Sequence, residues 1–120
     1  RYVEETGIDA LAVSIGTAHG QYTFEPKLNI ARLDRIREKV HMPIVLHGGS
    51  GTPLEQVQES IRHGIRKVNI CTDIQLAMGR AYMDVQNREG FKYSAENLWG
   101  PAEKAAKELV KSKIKAFALM

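Results

Sequence analysis

"VLHGGSG", residues 45–51, is the stretch on which the reading of the fold turns. Two aliphatic residues, Val45 and Leu46, give way to a histidine, and His47 is followed at once by Gly48, Gly49, Ser50 and Gly51. A short apolar run that stops on turn residues is the pattern of a strand buried on both faces. Two readings of the residues after the strand stand side by side. Glycine supplies positive φ and serine tolerates turns, so the run can be a tight turn and nothing more. Equally, backbone amides stripped of side chains let an anion approach, and a histidine beside them can bind a metal or move a proton.

Outward from that stretch the form repeats. "IDALAVSIG" (8–16) and "IRKVNI" (65–70) are similar runs, and the three candidate strands end near Ile15, His47 and Ile70. Helical patterns fill the intervals. In "NIARLDRIREKV" (29–40), Ile30, Leu33, Ile36 and Val40 share one face, with charges on the other. Thr52-Pro53-Leu54-Glu55 reads as a capping box with proline at the first helical position, and Leu54, Val57, Ile61 and Ile65 form its apolar stripe. Thr72-Asp73-Ile74-Gln75 opens a third helix toward Tyr82 or Val85, with Thr72 as N-cap. Residues 87–100 read as looser. A last helix from Gly100-Pro101 is expected to dock Leu109, Val110, Ile114 and Phe117.

Strands and helices alternating at these intervals suit right-handed crossovers and a parallel sheet. An open doubly wound sheet and a (β/α)₈ barrel both fit, and in either one ligands gather where the strands end. That edge carries the unusual residues: Thr17, Ala18, His19 and Gly20 after the first strand, His47 to Gly51 after the second, and Asn69, Ile70, Cys71 and Thr72 at the third.

The composition sets bounds. With 120 residues, 43% of them hydrophobic and 26% charged, the chain is one small globular domain or part of a larger one. A formal charge of +3 is too mild to argue for nucleic acid or an anionic membrane as partner. The single cysteine, Cys71, excludes an internal disulfide and a multi-cysteine zinc site, and fits a reducing compartment. No apolar run approaches membrane-spanning length. The chain opens on "RYVEETG" with no methionine, which leads us to expect a piece of a longer protein.

His19 and His47 each sit where a strand gives out, about one βα unit apart. Neighbouring parallel strands lie about 4.8 Å apart, so two imidazoles on one edge can reach a single ion. Zinc takes neutral histidine nitrogens at about 2.0–2.1 Å, and catalytic sites commonly use three protein ligands. Only two candidates are here, and a structural role for each stays open. Gly48, Gly49 and Ser50 suit a phosphate monoester, a reading strengthened by Asn69 to Thr72 one strand later. Asn69 can offer its amide to a developing oxyanion, or bond loop backbone. Cys71 reads as a buried, inert thiol. His41 and His63 read as solvated or helix-terminal, and Arg1 and Lys27 as surface charge.

"SIGTAHGQY" (14–22), "IVLHGGSG" (44–51) and "KVNICTD" (67–73) together resemble three co-ordered motifs of the class II, zinc-dependent ketose-bisphosphate aldolases. The resemblance is closest to the shorter fructose- and tagatose-bisphosphate branch. It implies an α/β fold, a (β/α)₈ TIM barrel of which this chain is the last three βα units plus C-terminal helices, with residues 1–120 the C-terminal part of a single barrel domain. It implies that His19 and His47 are two of three zinc ligands. It also implies that Gly20, Gly48, Gly49, Ser50, Asn69, Ile70, Cys71 and Thr72 hold dihydroxyacetone phosphate, and that a monovalent cation is a further cofactor.

In the family, zinc polarises the substrate ketone, an enediolate forms, and it adds reversibly to an aldehyde such as glyceraldehyde 3-phosphate. Asn69 would meet charge on the enediolate oxygens. The resemblance further implies a cytoplasmic homodimer or homotetramer acting on a small sugar phosphate in glycolysis or related carbohydrate metabolism, with no nucleic-acid or membrane partner. Two departures stand out. The family's proton-transferring aspartate and third histidine belong to an earlier strand, so this stretch by itself is expected to be inactive. Glu96 falls where many relatives carry an arginine for the far phosphate, with Arg88 and Lys92 the nearest cations upstream. The alternatives are a metal-free phosphate-binding barrel enzyme with acid/base histidines, and a non-catalytic barrel fragment retained as a binding module.

Overall fold

Three parallel strands, β1 (Leu11–Ala12), β2 (Ile44–Leu46) and β3 (Ile65–Val68), pair in the order β1-β2-β3 in a computed structural model that describes residues 1–90 and 94–119. Five helices accompany them: α1 (Tyr2–Thr6), α2 (Ile30–Arg37), α3 (Leu54–Arg62), α4 (Thr72–Glu89) and α5 (Ala95–Phe117). The chain divides into two compact units, Arg1–Ile70 and Cys71–Met120.

In the first unit β2 is the central strand, and its residues are all buried. The outer strands depart from the expected two-faced burial: Ala12 is exposed in β1, and Arg66 and Lys67 are exposed in β3. The physical reason is that both are edges of a three-stranded sheet. The strands also stop short of the apolar runs. Beyond Ala12 the Val13 N–H still donates to the Val45 carbonyl (3.3 Å), but the Ile15 carbonyl turns away to accept from Asn29 N–H (2.7 Å). Ile15 stays buried while its backbone has left the ladder.

The β2/β3 register contains a bulge. Ile44 pairs with Ile65, yet Val45 pairs with Lys67 and Leu46 with Val68, so Arg66 is the extra residue. Its guanidinium donates to the Ile61 and Ile65 carbonyls, both at 3.1 Å, and holds the bulged backbone.

Ile15, Leu33, Ile44, Leu46, Val57 and Ile65 are fully buried and make the core of this unit. Asn29 caps α2 by accepting from Arg32 N–H at 2.9 Å. The α3 start differs from the expected capping box. Pro53 occupies the N-cap position with no side-chain cap bond, and the Thr52 hydroxyl reaches the Gly48 carbonyl instead (3.4 Å). Leu54 is exposed, and Ile65, expected on the helix stripe, opens β3 because α3 ends at Arg62. His63 follows at the α3 C-cap and is more than solvated: its Nδ1 lies 2.9 and 3.0 Å from the Asp34 carboxylate oxygens, joining α3 to α2.

In the second unit α4 runs past Tyr82 and Val85 to Glu89, and Cys71, not Thr72, takes its N-cap position. Cys71 is exposed, against the expectation of a buried thiol. The last helix starts at Ala95, before Gly100-Pro101, because the Ser94 side chain accepts from Asn97 N–H (3.3 Å) and leaves Pro101 inside the helix. Ala102 is its buried residue, and Leu109 and Phe117 are half-buried on the same phase. Val110 and Ile114, expected to dock, are exposed: Ile114 falls about a third of a turn from Ala102, and Val110 lies at the margin of the packed face. Lys113 Nζ reaches Asp73 Oδ2 at 2.8 Å, which sets the end of α5 beside the start of α4 and makes the pair antiparallel. On the open face of α5, Lys111 donates to Glu108 and holds that carboxyl below the usual carboxylate range. Lys92 lies outside the described residues. Among the described residues no helix is long and apolar enough to cross a membrane.

Since Leu46 is 0% exposed on the central strand, Leu46→Ala should cost about 2–5 kcal/mol in denaturant unfolding, while Leu46→Ile should cost less than about 1.5 kcal/mol.

Candidate functional site

The loops that leave β1 and β2 are tied to one another through backbone carbonyls. Thr17 Oγ1 donates to the His47 carbonyl at 2.6 Å. The Tyr22 hydroxyl accepts from Ala18 N–H (2.8 Å) and lies 3.0 Å from the Ala18 carbonyl and 2.9 Å from that of Gly48. A phenol has one proton, so it donates to one of these two carbonyls at a time. Tyr22 therefore links the segment bearing His19 to the segment bearing His47. Sequence reasoning passed over it; the signal available was a tyrosine closing "TAHGQY", within reach of its own turn.

With the loops so held, His19 Nε2 and His47 Nδ1 stand 3.3 Å apart, the ring centroids 5.4 Å apart and tilted by 53°. Both side chains are exposed. An ion that holds two imidazole nitrogens tetrahedrally at about 2.0–2.1 Å sets them about 3.3–3.4 Å apart. The pair thus has the spacing of two corners of such a site. Among the described residues, no group of three or more His, Cys, Asp or Glu side chains gathers to hold a metal.

Asn69, the residue after β3, joins the pair. Its Nδ2 lies 3.1 Å from His47 Nδ1 and 3.2 Å from Nε2, and the Lys67 ammonium donates to its Oδ1. The bulge is what brings this about: an unshifted register would carry Val68 to the level of His47, whereas the extra Arg66 carries Asn69 there. Lys67 is a second residue that sequence reasoning missed, although it sits two positions before Asn69 and shares its face of the strand.

The glycines of the opening stretch have packing roles. Gly48 has φ 66, and a Cβ there would lie 2.2 Å from the Ala18 carbonyl oxygen. A Cβ on Gly49 would lie 2.6 Å from Val68 Cγ1, and its N–H is donated to the Asn69 carbonyl at 3.1 Å. Thr52 N–H then returns to the Gly49 carbonyl (3.4 Å), closing a turn over Ser50 and Gly51. The turn reading is therefore realised. Ser50 is buried within the turn, and Gly20 is exposed with open space at its Cβ position. Ile70 is half-buried, with its Cδ1 near Gly49. Cys71 and Thr72 belong to the second unit, at the start of α4.

Other expected positions lie apart. His41 is exposed in the connection before β2. An open cleft of about 470 Å³ is lined by Glu25, Pro26, Lys27, Leu28, Gln56 and Glu59, none of them a site residue. Gln56 shapes it by accepting from Leu28 N–H (2.8 Å) and donating to the Pro26 carbonyl (3.1 Å). Glu96 occupies the first turn of α5, where a helix N-terminus favours an acid. Arg88 pairs with Glu89 at 3.4 Å.

In α/β enzymes with parallel sheets and helical crossovers, ligands bind at the edge where the strands end, the edge that here carries histidines and glycine turns. Comparison with known proteins narrows this. The family model described as fructose-bisphosphate aldolase class-II matches residues 1–119. The chain is 44% identical over 115 residues to a fructose-bisphosphate aldolase of Staphylococcus aureus, covering 96% of this chain and 40% of that protein. A Staphylococcus epidermidis fructose-bisphosphate aldolase is 42% identical over the same length, with the same coverage. Among solved structures, the YdjI aldolase of Escherichia coli K12 superposes with a TM-score of 0.81 at 37% identity, over 97% of this chain and 41% of that one. The fructose-bisphosphate aldolase of Campylobacter jejuni, at 20% identity over 91% of this chain and 39% of that one, shares the fold with a TM-score of 0.67. The chain belongs to the class II fructose-bisphosphate aldolase family. Its fold is accordingly part of a (β/α)₈ barrel, and the chain spans about 40% of the length of the curated relatives it matches.

Because Gly48 combines a left-handed backbone with a carbonyl at 2.2 Å from any Cβ, Gly48→Ala should lower stability by at least about 1–3 kcal/mol in thermal or denaturant unfolding.

Proposed function

We propose that residues 1–120 are the C-terminal part of one barrel domain of a zinc-dependent class II aldolase that reversibly cleaves a ketose bisphosphate of the fructose or tagatose type. The products would be dihydroxyacetone phosphate and an aldehyde such as glyceraldehyde 3-phosphate. The observation that carries this reading is the 3.3 Å separation of His19 Nε2 and His47 Nδ1, with the Asn69 carboxamide beside them. The family match, which runs through both units, supports taking them as parts of one domain.

His19 and His47 would hold zinc together with a histidine from elsewhere in the polypeptide. Bound there, zinc supplies a Lewis acid for the substrate carbonyl. In cleavage the hydroxyl on the aldehyde-forming carbon loses its proton, and its O–H electron pair becomes the new C=O. The carbon–carbon bond breaks with its electron pair passing to the dihydroxyacetone half, which then takes up a proton at carbon. The acid/base group is assigned to a residue outside this chain, as the family's aspartate is. Asn69 Nδ2 donates a hydrogen bond toward the oxygen on which negative charge develops.

The phosphate of the dihydroxyacetone half is assigned to the turn residues Gly48, Gly49 and Ser50, to Gly20 and to Ile70. For Gly49 the contribution is its missing side chain, because its N–H is already bonded to Asn69. For Cys71 and Thr72 the assignment rests on the "KVNICTD" motif. Glu96 in place of a cation favours an acceptor aldehyde with less negative charge at its far end, or a phosphate met by another residue. The sugar-phosphate substrate and the lone cysteine support a cytoplasmic enzyme, and the family supports a homodimer or homotetramer.

The test is metal analysis of the complete polypeptide, paired with cleavage assays on fructose and tagatose bisphosphates with and without chelator. About one zinc per chain and cleavage lost on chelation are expected. His47→Ala should release the metal while the protein stays folded, and Asn69→Ala should lower kcat by about 10²–10³-fold. Activity indifferent to chelator would favour the metal-free barrel enzyme. A complete polypeptide that binds zinc weakly and cleaves neither sugar would favour the non-catalytic module.

A further inference from the structure

We propose that Lys67 is a positioning residue that fixes which way the Asn69 carboxamide faces, an inference that rests on the role just given to Asn69. A carboxamide has two ends of nearly equal shape and opposite hydrogen-bonding character. Placed beside a histidine with nothing else to orient it, it can present either its oxygen or its NH₂. The Lys67 ammonium removes that choice. It has three donors and no acceptor, so the atom it touches must be the oxygen, and the structure has Lys67 Nζ on Asn69 Oδ1. The NH₂ is thereby turned to the other side, where it stands 3.1 and 3.2 Å from the two His47 nitrogens.

The placement follows from strand geometry. Asn69 follows the last residue of β3 and its N–H continues the ladder to β2, so, as residues two apart on an extended chain share a face, Lys67 and Asn69 lie on the same side. Lys67 is also the residue paired with Val45 after the bulge, one pair of positions before the level of His47. The Asn69 backbone is held independently, its N–H donating to the Leu46 carbonyl (2.9 Å) and its carbonyl accepting from Gly49 N–H (3.1 Å). With the backbone fixed, the side-chain rotation is the freedom left for Lys67 to settle. A donor aimed at developing charge works through its orientation before the reaction begins, so Lys67 acts on the reaction without touching the reacting atoms.

The experiment is a double-mutant cycle in the complete polypeptide, read alongside the side-chain amide signals of Asn69. Lys67→Met should lower kcat by about 10- to 100-fold with little change in KM, and Lys67→Arg, which also only donates, should restore most of it. In an Asn69→Ala background Lys67→Met should cost nothing further. In a sample labelled with ¹⁵N-asparagine, the Asn69 NH₂ signals, identified by their loss in Asn69→Ala, should move in Lys67→Met and return in Lys67→Arg.

Multiplying losses in the double variant would make Lys67 an independent contact and overturn the proposal, as would NH₂ signals that ignore Lys67→Met. The signals require no turnover. A protein that cleaves no ketose phosphate therefore defeats the functional reading by itself, while the signals still decide whether Lys67 orients Asn69.

Discussion

Between β2 and β3 the parallel ladder carries one extra residue, Arg66, and the arrangement of the site hangs on it. Side chains alternate faces along a strand, so a shift of one residue exchanges the set that faces a neighbour for the set that faces away. Without the bulge, apolar Val68 would reach the level of His47. With it, Asn69 does, and Lys67 comes with it on the same face. The bulge is held by the Arg66 guanidinium on two nearby carbonyls, so a residue outside the site sets what the site contains.

The second requirement is that two loops, each the end of a different strand, keep their histidines in register. Backbone groups serve here as fixed posts: Thr17 bonds the His47 carbonyl, and the Tyr22 hydroxyl, accepting from Ala18 N–H, reaches the Gly48 carbonyl. Close approach of the loops is possible only because Gly48 lacks a side chain against the Ala18 backbone. The glycine-rich turn thus has two parts in one arrangement. It lets the loops meet, and the meeting gives the imidazole nitrogens the spacing of a tetrahedral site. Hydrogen bonds of this kind each contribute only about 0.5–1.5 kcal/mol, so their value is geometric more than energetic.

Helix boundaries followed local chemistry wherever a polar cap could reach a backbone N–H. Asn29 and Ser94 cap α2 and α5, and the acid at Glu96 falls in a first turn where the helix end favours it. At α3 the boundary differs from the expected one. Thr52 turns its hydroxyl to the Gly48 carbonyl, Pro53 takes the cap position of α3, and the capping box does not form.

From the sequence by itself came the alternation of strands and helices, the parallel sheet, the edge on which His19, His47 and Asn69 meet, and the family, because apolar runs, glycines and motif order are local and periodic properties. Core positions such as Leu33, Leu46 and Val57 were likewise readable from periodicity. Tertiary structure alone decided the rest. The bulge at Arg66 is a property of two strands laid side by side and has no signature in either. The parts taken by Tyr22 and Lys67 depend on partners that only folding brings near: the Gly48 carbonyl for Tyr22, and, for Lys67, the face of β3 that meets His47. Val110 and Ile114 looked like docking residues because they are apolar, yet the packed phase of α5 is set by which face meets α4, and that phase runs through Ala102 and Leu109. A chain's local pattern states which residues prefer to be buried or capped; which of them share a partner is fixed by pairing and packing over distances that no local pattern encodes.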